Sequence, residues 1–132
     1  MRLQLVTPDR QVLDTEIEEI YAPGIRGQFG VLPEHVNFLT ALDTGALRYR
    51  ADGKDQWVAV SGGVAEVLGE SVTVLADGAE VAGQIDAEAV TAEAARTEVE
   101  LKDAEPGTPE AARLAATLAW CRARQAVAAE RS

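Results

Sequence analysis

The chain has 132 residues, a length that fits one ordinary domain or a compact domain with an appendage. Its 22 acidic and 12 basic residues give a formal net charge of −10, which excludes a nucleic-acid partner because most of the surface repels phosphates. The single cysteine excludes an internal disulfide, and no cysteine or histidine cluster has the spacing of metal ligands.

The N-terminal segment, MRLQLVTPDRQ, contains no apolar run long enough for a signal peptide. The longest apolar stretch lies much further along the chain, from Leu114 to Cys121, and is too short to span a membrane. We therefore expect a cytosolic protein.

From Leu3 to about Leu75 the chain consists of short apolar or alternating runs separated by turn residues. The runs are LQLV, EIEEIYA, FGVL, FLTA, ALRYR, QWVAV, GVAEV and SVTVL. Short strands separated by turns roughly every 8 to 12 residues indicate an antiparallel β-sandwich or barrel. The clearest hairpin joins LRYR to QWVAV, since Asp52 and Gly53 both tolerate the positive φ of a tight turn.

A glycine-rich segment, GQFGVLPEH, ends in the only histidine of the chain, His35. Its glycines permit unusual backbone conformations, and Pro33 restricts the residue before it to an extended conformation. Such a rigid loop at one rim of the sandwich suits recognition of a partner. His35 has two interpretations, an interface residue or a histidine that locks the turn by hydrogen bonds. The predicted partner interface consists of Gln28, Phe29, Glu34, His35 and Val36.

A catalytic hypothesis would centre on His35, whose ordinary pKa lies near neutrality. The available nucleophile is Ser61, but its segment VSGGV lacks the strand-to-helix elbow of serine hydrolases. Glu16 and Glu18 are predicted to share one face of a strand, where solvation explains them better than acid–base chemistry. GQFG and SGGV are too short for a phosphate loop, and no lysine follows them. We therefore expect that the chain is not an enzyme.

After about Gly83 the pattern predicts two helices, QIDAEAVTAEAARTEVELKDAE and PEAARLAATLAWCRARQAVAAE. Alanine supplies 15 of the 48 residues from Ile85 onward. The break between the helices has its own chemistry, because Pro106 and Gly107 end the first helix and Thr108 can cap the second, which starts at Pro109. The sequence thus predicts a β-domain at residues 1–84 and an α-helical hairpin at residues 85–132.

The high alanine content predicts weak docking of the hairpin. A buried alanine contributes about 0.8 kcal/mol, against roughly 1.5 to 3 kcal/mol for a buried leucine or phenylalanine. Alanine is also the best helix former, so each helix can persist when it is detached. Two interpretations stay open, a moving arm and a hairpin that is permanently packed on the sandwich.

The two helices carry opposite charges. Residues 85–104 contain six acids and two bases, whereas residues 111–132 contain four arginines and one glutamate. The second helix can lie against the first, reach an acidic partner or present a solvated face. Trp120 and Val127 are seven residues apart on one helical face and are predicted to pack. The four arginines are Arg113, Arg122, Arg124 and Arg131.

Two stretches of the chain, GQFGVLPEHVNFLTALDTGALR and VSGGVAEVLGESVTVLADGAEVAGQID, closely resemble the epsilon subunit of the bacterial F-type ATP synthase. That family has a glycine-rich turn, a G-V-L-P-x-H segment, S-G-G-x-x-E-V and V-T-V-L-A-D in this order, and then two helices. The resemblance covers nearly the whole chain. It implies a ten-stranded β-sandwich followed by a helical hairpin, in a non-catalytic rotor subunit on the cytoplasmic face of the membrane.

The resemblance also implies the partners. The sandwich would bind the gamma subunit and stand on the c-ring of a proton-translocating ATP synthase, and thereby couple the two. The hairpin would lie folded on the sandwich, or extend along gamma into the alpha/beta catalytic head and restrain ATP hydrolysis. We expect Arg113, Arg122 and Arg124 to meet acidic groups of that head in the extended state.

Residue by residue, the resemblance carries over only in part. Gln28 corresponds to the rim that faces the c-ring, where the family often has a glutamate, and the segment around His35 corresponds to the surface near gamma. Asn37 replaces the usual proline after the histidine.

In the first helix, family members that bind ATP carry Ile/Leu-Asp-x-x-Arg-Ala, whereas this chain has Ala89 in place of the arginine and Val90 in place of the alanine. We therefore expect weak or absent ATP binding and no cofactor. The alternative is an ATP-sensing module whose hairpin clamps nucleotide. The remaining ATP-site candidates are Asp86, Arg122 and Arg124.

Overall fold

The computed structural model describes residues 1–34 and 36–130 and contains ten strands followed by two helices. This architecture confirms the predicted β-sandwich, mostly antiparallel, with a C-terminal helical hairpin. The strands are β1 (Arg2–Val6), β2 (Gln11–Glu16), β3 (Glu19–Gly24), β4 (Gly27–Val31), β5 (Phe38–Leu42), β6 (Gly45–Ala51), β7 (Lys54–Val60), β8 (Gly63–Leu68), β9 (Ser71–Leu75) and β10 (Ala79–Val81). A 3₁₀ turn (Ala82–Gln84) leads into α1 (Ala87–Asp103) and α2 (Pro109–Ala129).

The strands are hydrogen-bonded in the order β10-β7-β6-β3-β5-β8-β9-β1-β2. β4 lies outside this order and pairs with β3. All of these pairs are antiparallel except β1 and β9, which run parallel. The sheet folds over a core to which the strands contribute alternate residues, as period-two geometry requires. In β9, for example, Val72 and Val74 are buried whereas Ser71 and Leu75 are exposed.

The predicted turn at Asp52 and Gly53 is confirmed. Both residues have positive φ, 53° and 75°, and they join β6 to β7 in a register that pairs Ala51 with Lys54. Asparagine, aspartate and glycine tolerate this backbone region best, so the local sequence determines the turn.

Glu16 and Glu18 are both exposed, as the solvated-face interpretation predicts, but the prediction that they share one strand is wrong. β2 ends at Glu16, and the chain then changes partners: Ile17 N donates to Met1 O, and Glu18 N donates to Arg50 O. The carboxylates therefore serve separate contacts. Glu18 Oε1 accepts from Gly53 N at 2.9 Å, and Glu16 Oε2 lies 3.3 Å from the terminal amine.

Capping side chains define the start of each helix. Thr108 Oγ1 accepts from Ala111 N at 3.2 Å, and Pro109 occupies the first turn of α2, as the sequence predicts. Asp86 Oδ1 accepts from Ala89 N at 3.1 Å and caps α1 in the same way. The first helix ends at Asp103, before Pro106, because the residues that precede a proline disfavour helical backbone.

Candidate functional site

The hairpin lies on the outer side of β6 and β7, and it docks through α2, while α1 packs on α2. Alanines and Cys121 make up four of the seven buried residues of this contact, and larger side chains, among them Trp57 and Leu118, pack around them. The buried cluster comprises Ala59, Ile85, Val90, Ala94, Cys121, Ala123 and Val127. Trp120 packs against this cluster, and Val127 is fully buried within it, which confirms the packing roles predicted for both.

Ion pairs connect the cationic α2 to the acidic α1. Arg122 pairs with Glu98, and Arg124 pairs with Glu93 at 2.8 Å. The sequence left three possibilities for the cationic helix: contact with the first helix, contact with an acidic partner, or a solvated face. In the docked hairpin these two arginines lie against the first helix. Arg113 instead lies 3.7 Å from Glu110 on its own helix, where both side chains are exposed. Arg131 lies outside the described residues.

Arg124 has the most enclosed position of these arginines, with only 13% of its side chain exposed. Its guanidinium lies 5.1 Å from the centre of the Trp120 ring, and its Nη2 is 3.5 Å from Cys121 Sγ. The hydrogen bond from Arg124 lowers the pKa of Glu93. Burial, helped by the nearby Glu93 carboxylate, raises the pKa of the Cys121 thiol. Arg124, Glu93 and Cys121 therefore form one electrostatically coupled cluster in the hairpin.

An Arg124→Met variant is expected to weaken the hairpin at neutral pH by about 1 kcal/mol and to have less effect in acid. Folding lowers the pKa of Glu93. The stability contributed by the ionised Glu93 carboxylate is therefore fully present above its ordinary pKa of 4.5, and it is lost as the pH falls through the lowered pKa. Urea unfolding followed by tryptophan fluorescence, from pH 7 downward, measures the difference.

The matched control is Arg122→Met, which removes the other α2 arginine that pairs with α1. Arg122 is more exposed than Arg124. Exposed ion pairs contribute little, so we expect a loss below about 0.5 kcal/mol at neutral pH. A pH-independent effect of Arg124→Met would contradict the assigned role of the Glu93 carboxylate.

The three ATP-site candidates are each engaged elsewhere. Asp86 caps α1, and Arg122 and Arg124 bind glutamates of α1. A cleft of about 250 Å³ lies between the start of α1 and the end of α2, but no basic side chain of the described residues lines it. Its lining consists of Ala87, Thr91, Gln125, Ala128 and Ala129.

The predicted partner interface is spread over β4 and the loop that follows it. Gln28 is exposed, whereas Phe29 packs against the core with its ring edge-on to Phe38 at 5.6 Å. Glu34 has a positive φ of 68°, and the side chain of Val36 is 79% exposed. His35 lies outside the described residues.

Asn37, which stands at the family's proline position, has a contact of its own. Its Oδ1 accepts a hydrogen bond of 2.8 Å from Gly69 N in the turn between β8 and β9. This hydrogen bond ties the loop before β5 to the turn of the neighbouring hairpin.

A further surface escaped the sequence analysis. On the side of the sandwich formed by β5, β8 and β9, four large apolar residues point outward, and we call them the open sheet face. Directly opposed residues share a face, and Val64 stands opposite Leu75 while Leu39 stands opposite Glu66. Strands that are apolar on both sides indicate that both sides are covered, a signal present in SVTVL and GVAEVL. The members are Leu39, Val64, Leu68 and Leu75, with exposures of 67%, 37%, 53% and 54%.

Neither a metal-binding cluster nor a membrane-spanning helix is found in the described part of the chain. Residues 1–34 and 36–130 contain no group of three or more histidine, cysteine, aspartate or glutamate side chains placed to hold a metal ion. Within the same residues, neither helix has the length and hydrophobicity needed to cross a membrane.

The fold and surfaces define a class of protein, a ten-stranded β-sandwich that carries a two-helix hairpin on one side and an apolar face on another. Residues 1–82 match the family described as ATP synthase, Delta/Epsilon chain, beta-sandwich domain. The chain belongs to this family, and the predicted resemblance to the bacterial epsilon subunit is confirmed.

Individual relatives support the assignment. The chain is 40% identical over 126 residues to the ATP synthase epsilon chain of Synechococcus sp. (strain WH7803), covering 94% of this chain and 93% of that protein. It is 52% identical over 88 residues to the epsilon chain of Nitratidesulfovibrio vulgaris (strain DSM 19637 / Miyazaki F), covering 67% of this chain. The match spans slightly less than two thirds of that relative, 66% of its length.

Solved structures show the same fold. A chain of the Euglena gracilis mitochondrial ATP synthase, in its OSCP/F1/c-ring structure, superimposes with a TM-score of 0.81 at 23% identity, covering 94% of this chain and 78% of that one. A chain of the Tetrahymena thermophila central stalk/c-ring structure gives a TM-score of 0.61 at 16% identity, covering 97% and 96%. At these identities the likeness concerns the fold alone.

Proposed function

We propose that the chain is a non-catalytic central-stalk subunit of a proton-translocating F-type ATP synthase, attached peripherally to the cytoplasmic face of the membrane. One observation supports this above all: the sandwich has an exposed apolar face on one side and carries a hairpin rich in alanine on another. The epsilon-chain name of relatives that match up to 94% of the chain supports the same assignment. A subunit of this kind needs binding surfaces and a movable part, and no catalytic residues of its own.

The open sheet face is the proposed binding surface for the gamma subunit. Exposed apolar side chains gather on it, and Val36 adds a further one in the loop that leads into β5. Exposed apolar side chains that gather on one face, here around Glu66, are typical of a protein interface. The β3–β4 turn would stand on the polar loops of the c-ring, because it presents Ile25, Arg26 and Gln28 to solvent. Residues 1–84 would thus couple gamma to the c-ring.

Residues 85–132 form the proposed brake on ATP hydrolysis. In the docked hairpin Arg122 and Arg124 of α2 are paired with α1 glutamates, and alanines supply part of the contact with the sheet. Extension of the helices into the alpha/beta head would exchange these pairs for acidic groups of the head. The exchange needs little energy when the pairs are partly exposed. The proposed contact residues remain Arg113, Arg122 and Arg124.

Truncation after Gln84 tests the brake. β10 ends at Val81, so the cut leaves every strand in place. We expect hydrolysis by the reconstituted catalytic head with gamma to be about fivefold or more faster with the truncated chain than with the full chain. A binding assay with gamma controls for loss of assembly. Equal rates with equal assembly would mean that the hairpin only packs.

Nucleotide clamping by the hairpin is not supported. The cleft at the start of α1 is lined by alanines and uncharged polar groups, and Ala89 offers no guanidinium for a phosphate. We therefore expect no binding of Mg-ATP to the isolated chain in isothermal titration at micromolar concentrations. A titration that showed micromolar affinity would instead favour the ATP-sensing module.

A further inference from the structure

Glu80 occupies an unusual place in the contact between the hairpin and the sandwich. In the sheet it stands directly opposite Ala59 of β7, which stands opposite Ala46 of β6. Directly opposed residues point to the same side of a sheet, so the three side chains form one row. Ala59 is fully buried in the cluster that α2 covers, and Ala46 packs against that cluster. The row therefore lies on the docking surface of the hairpin.

α2 contacts the chain just before and just after β10. A methyl group at Gly78, just before β10, would lie 3.9 Å from the Trp120 ring, and the 3₁₀ turn that follows β10 packs against α2. Glu80 lies between these two points. Its side chain is thus partly buried beside the docked helix.

One oxygen of the Glu80 carboxylate is poorly satisfied. Glu80 Oε1 is buried and has no hydrogen-bond partner within residues 1–34 and 36–130. The nearest residues of its row are alanines, and the α2 cations Arg122 and Arg124 bind Glu98 and Glu93 instead. A buried carboxylate oxygen without a partner destabilises the state that buries it, since water satisfies the same oxygen once the helix has left.

We propose that Glu80 is a release element: it keeps the docked hairpin only marginally stable, so that α2 separates readily from the sandwich. The biological use of this element rests on the proposed function, in which the hairpin must open. The docking equilibrium itself is a property of the isolated chain. A negative result for Glu80 would therefore leave the truncation experiment, and the brake, untouched.

Cys121 provides a direct measure of hairpin opening. It is the only cysteine, it is fully buried, and it belongs to the cluster formed by both helices and Ala59, so a thiol reagent reaches it only after the hairpin has opened. When opening is fast and rare, the labelling rate of the full chain is proportional to the open fraction. The rate for the urea-unfolded chain corrects for intrinsic reactivity.

A Glu80→Met variant keeps the side-chain length and removes the unsatisfied oxygen. Relief of an unsatisfied buried group predicts that labelling of Cys121 by Ellman's reagent becomes about tenfold slower than in the unmodified chain at the same pH. The matched control is Glu66→Met, which removes an exposed carboxylate. Glu66 lies in β8, opposite Leu39 of β5, on the side of the sandwich away from the hairpin. We expect its labelling rate to be unchanged.

Labelling of the Glu80→Met chain at the original rate or faster would overturn the proposal, and so would an equal slowing in Glu66→Met. Circular dichroism checks that the sandwich is intact. If Glu80→Met fails to fold, Glu80→Leu decides, because it also removes the unsatisfied oxygen and leaves an apolar side chain of similar size. Slower labelling in Glu80→Leu supports the proposal, and an unchanged rate contradicts it.

Discussion

Replacement of Gly63 by alanine is expected to lower the free energy of unfolding by about 3 to 5 kcal/mol. Gly63 begins β8 with a φ of +115°, a region that side chains disfavour. A Cβ atom there would lie 2.0 Å from Leu75 O and 2.8 Å from Ala76 Cα, and both are backbone atoms that cannot rotate away. β8 would have to separate from β9 or shift its register. Urea unfolding at neutral pH measures the loss.

Gly53→Ala is the matched control for this substitution. Gly53 also has a positive φ, +75°, but nothing lies within 4 Å of a Cβ atom at that position. Only the conformational strain remains, so we expect a loss of about 1 to 2 kcal/mol. The difference between the two variants isolates the steric clash at Gly63. Equal losses would show that backbone conformation alone restricts this corner of the sandwich.

A Leu75→Gln variant is expected to bind the gamma subunit about 30-fold or more weakly, with little change in stability. Leu75 lies at the end of β9 on the open sheet face, between Val64 of β8 and Val6 of β1. Loss of a hot-spot side chain from an interface commonly costs about 2 kcal/mol or more, which corresponds to this factor. Titration of gamma with the isolated chain measures the dissociation constant.

Val99→Gln is the control for the interface. Val99 is 61% exposed on α1, so the substitution changes hydrophobicity equally but outside the open sheet face. We expect its affinity for gamma to be unchanged. A comparable loss in both variants would indicate a general effect of surface polarity, and no loss in Leu75→Gln would move the gamma-binding surface elsewhere on the sandwich.

Features governed by local chemistry could be predicted from the sequence. Asp52 and Gly53 specify a tight turn by themselves, and Thr108 with Pro109 specifies a helix start. The change from short alternating runs to alanine-rich segments likewise predicted the division between strands and helices. In each case the decisive residues lie within a few positions of one another.

Features that depend on distant residues could not be predicted in this way. The parallel pairing of β1 with β9 joins residues about 70 positions apart, and nothing in LQLV or SVTVL encodes that choice. Glu18 was misplaced because the exchange of strand partners after Glu16 depends on Arg50, in a different strand. The ion pairs of Arg122 and Arg124 could not be predicted, because they depend on how each helix is rotated about its own axis. Charge composition alone does not determine that rotation.

The layering of the hairpin has a mechanical consequence. Sandwich, α2 and α1 are stacked in series, with α2 in the middle. A pull on α1 reaches the sheet only through α2, so the α1–α2 contact and the seam beneath α2 carry the same load and the weaker of the two separates first. Separation of the outer contact would give a half-opened form in which α2 is still seated on the sheet while Arg122 and Arg124 face solvent.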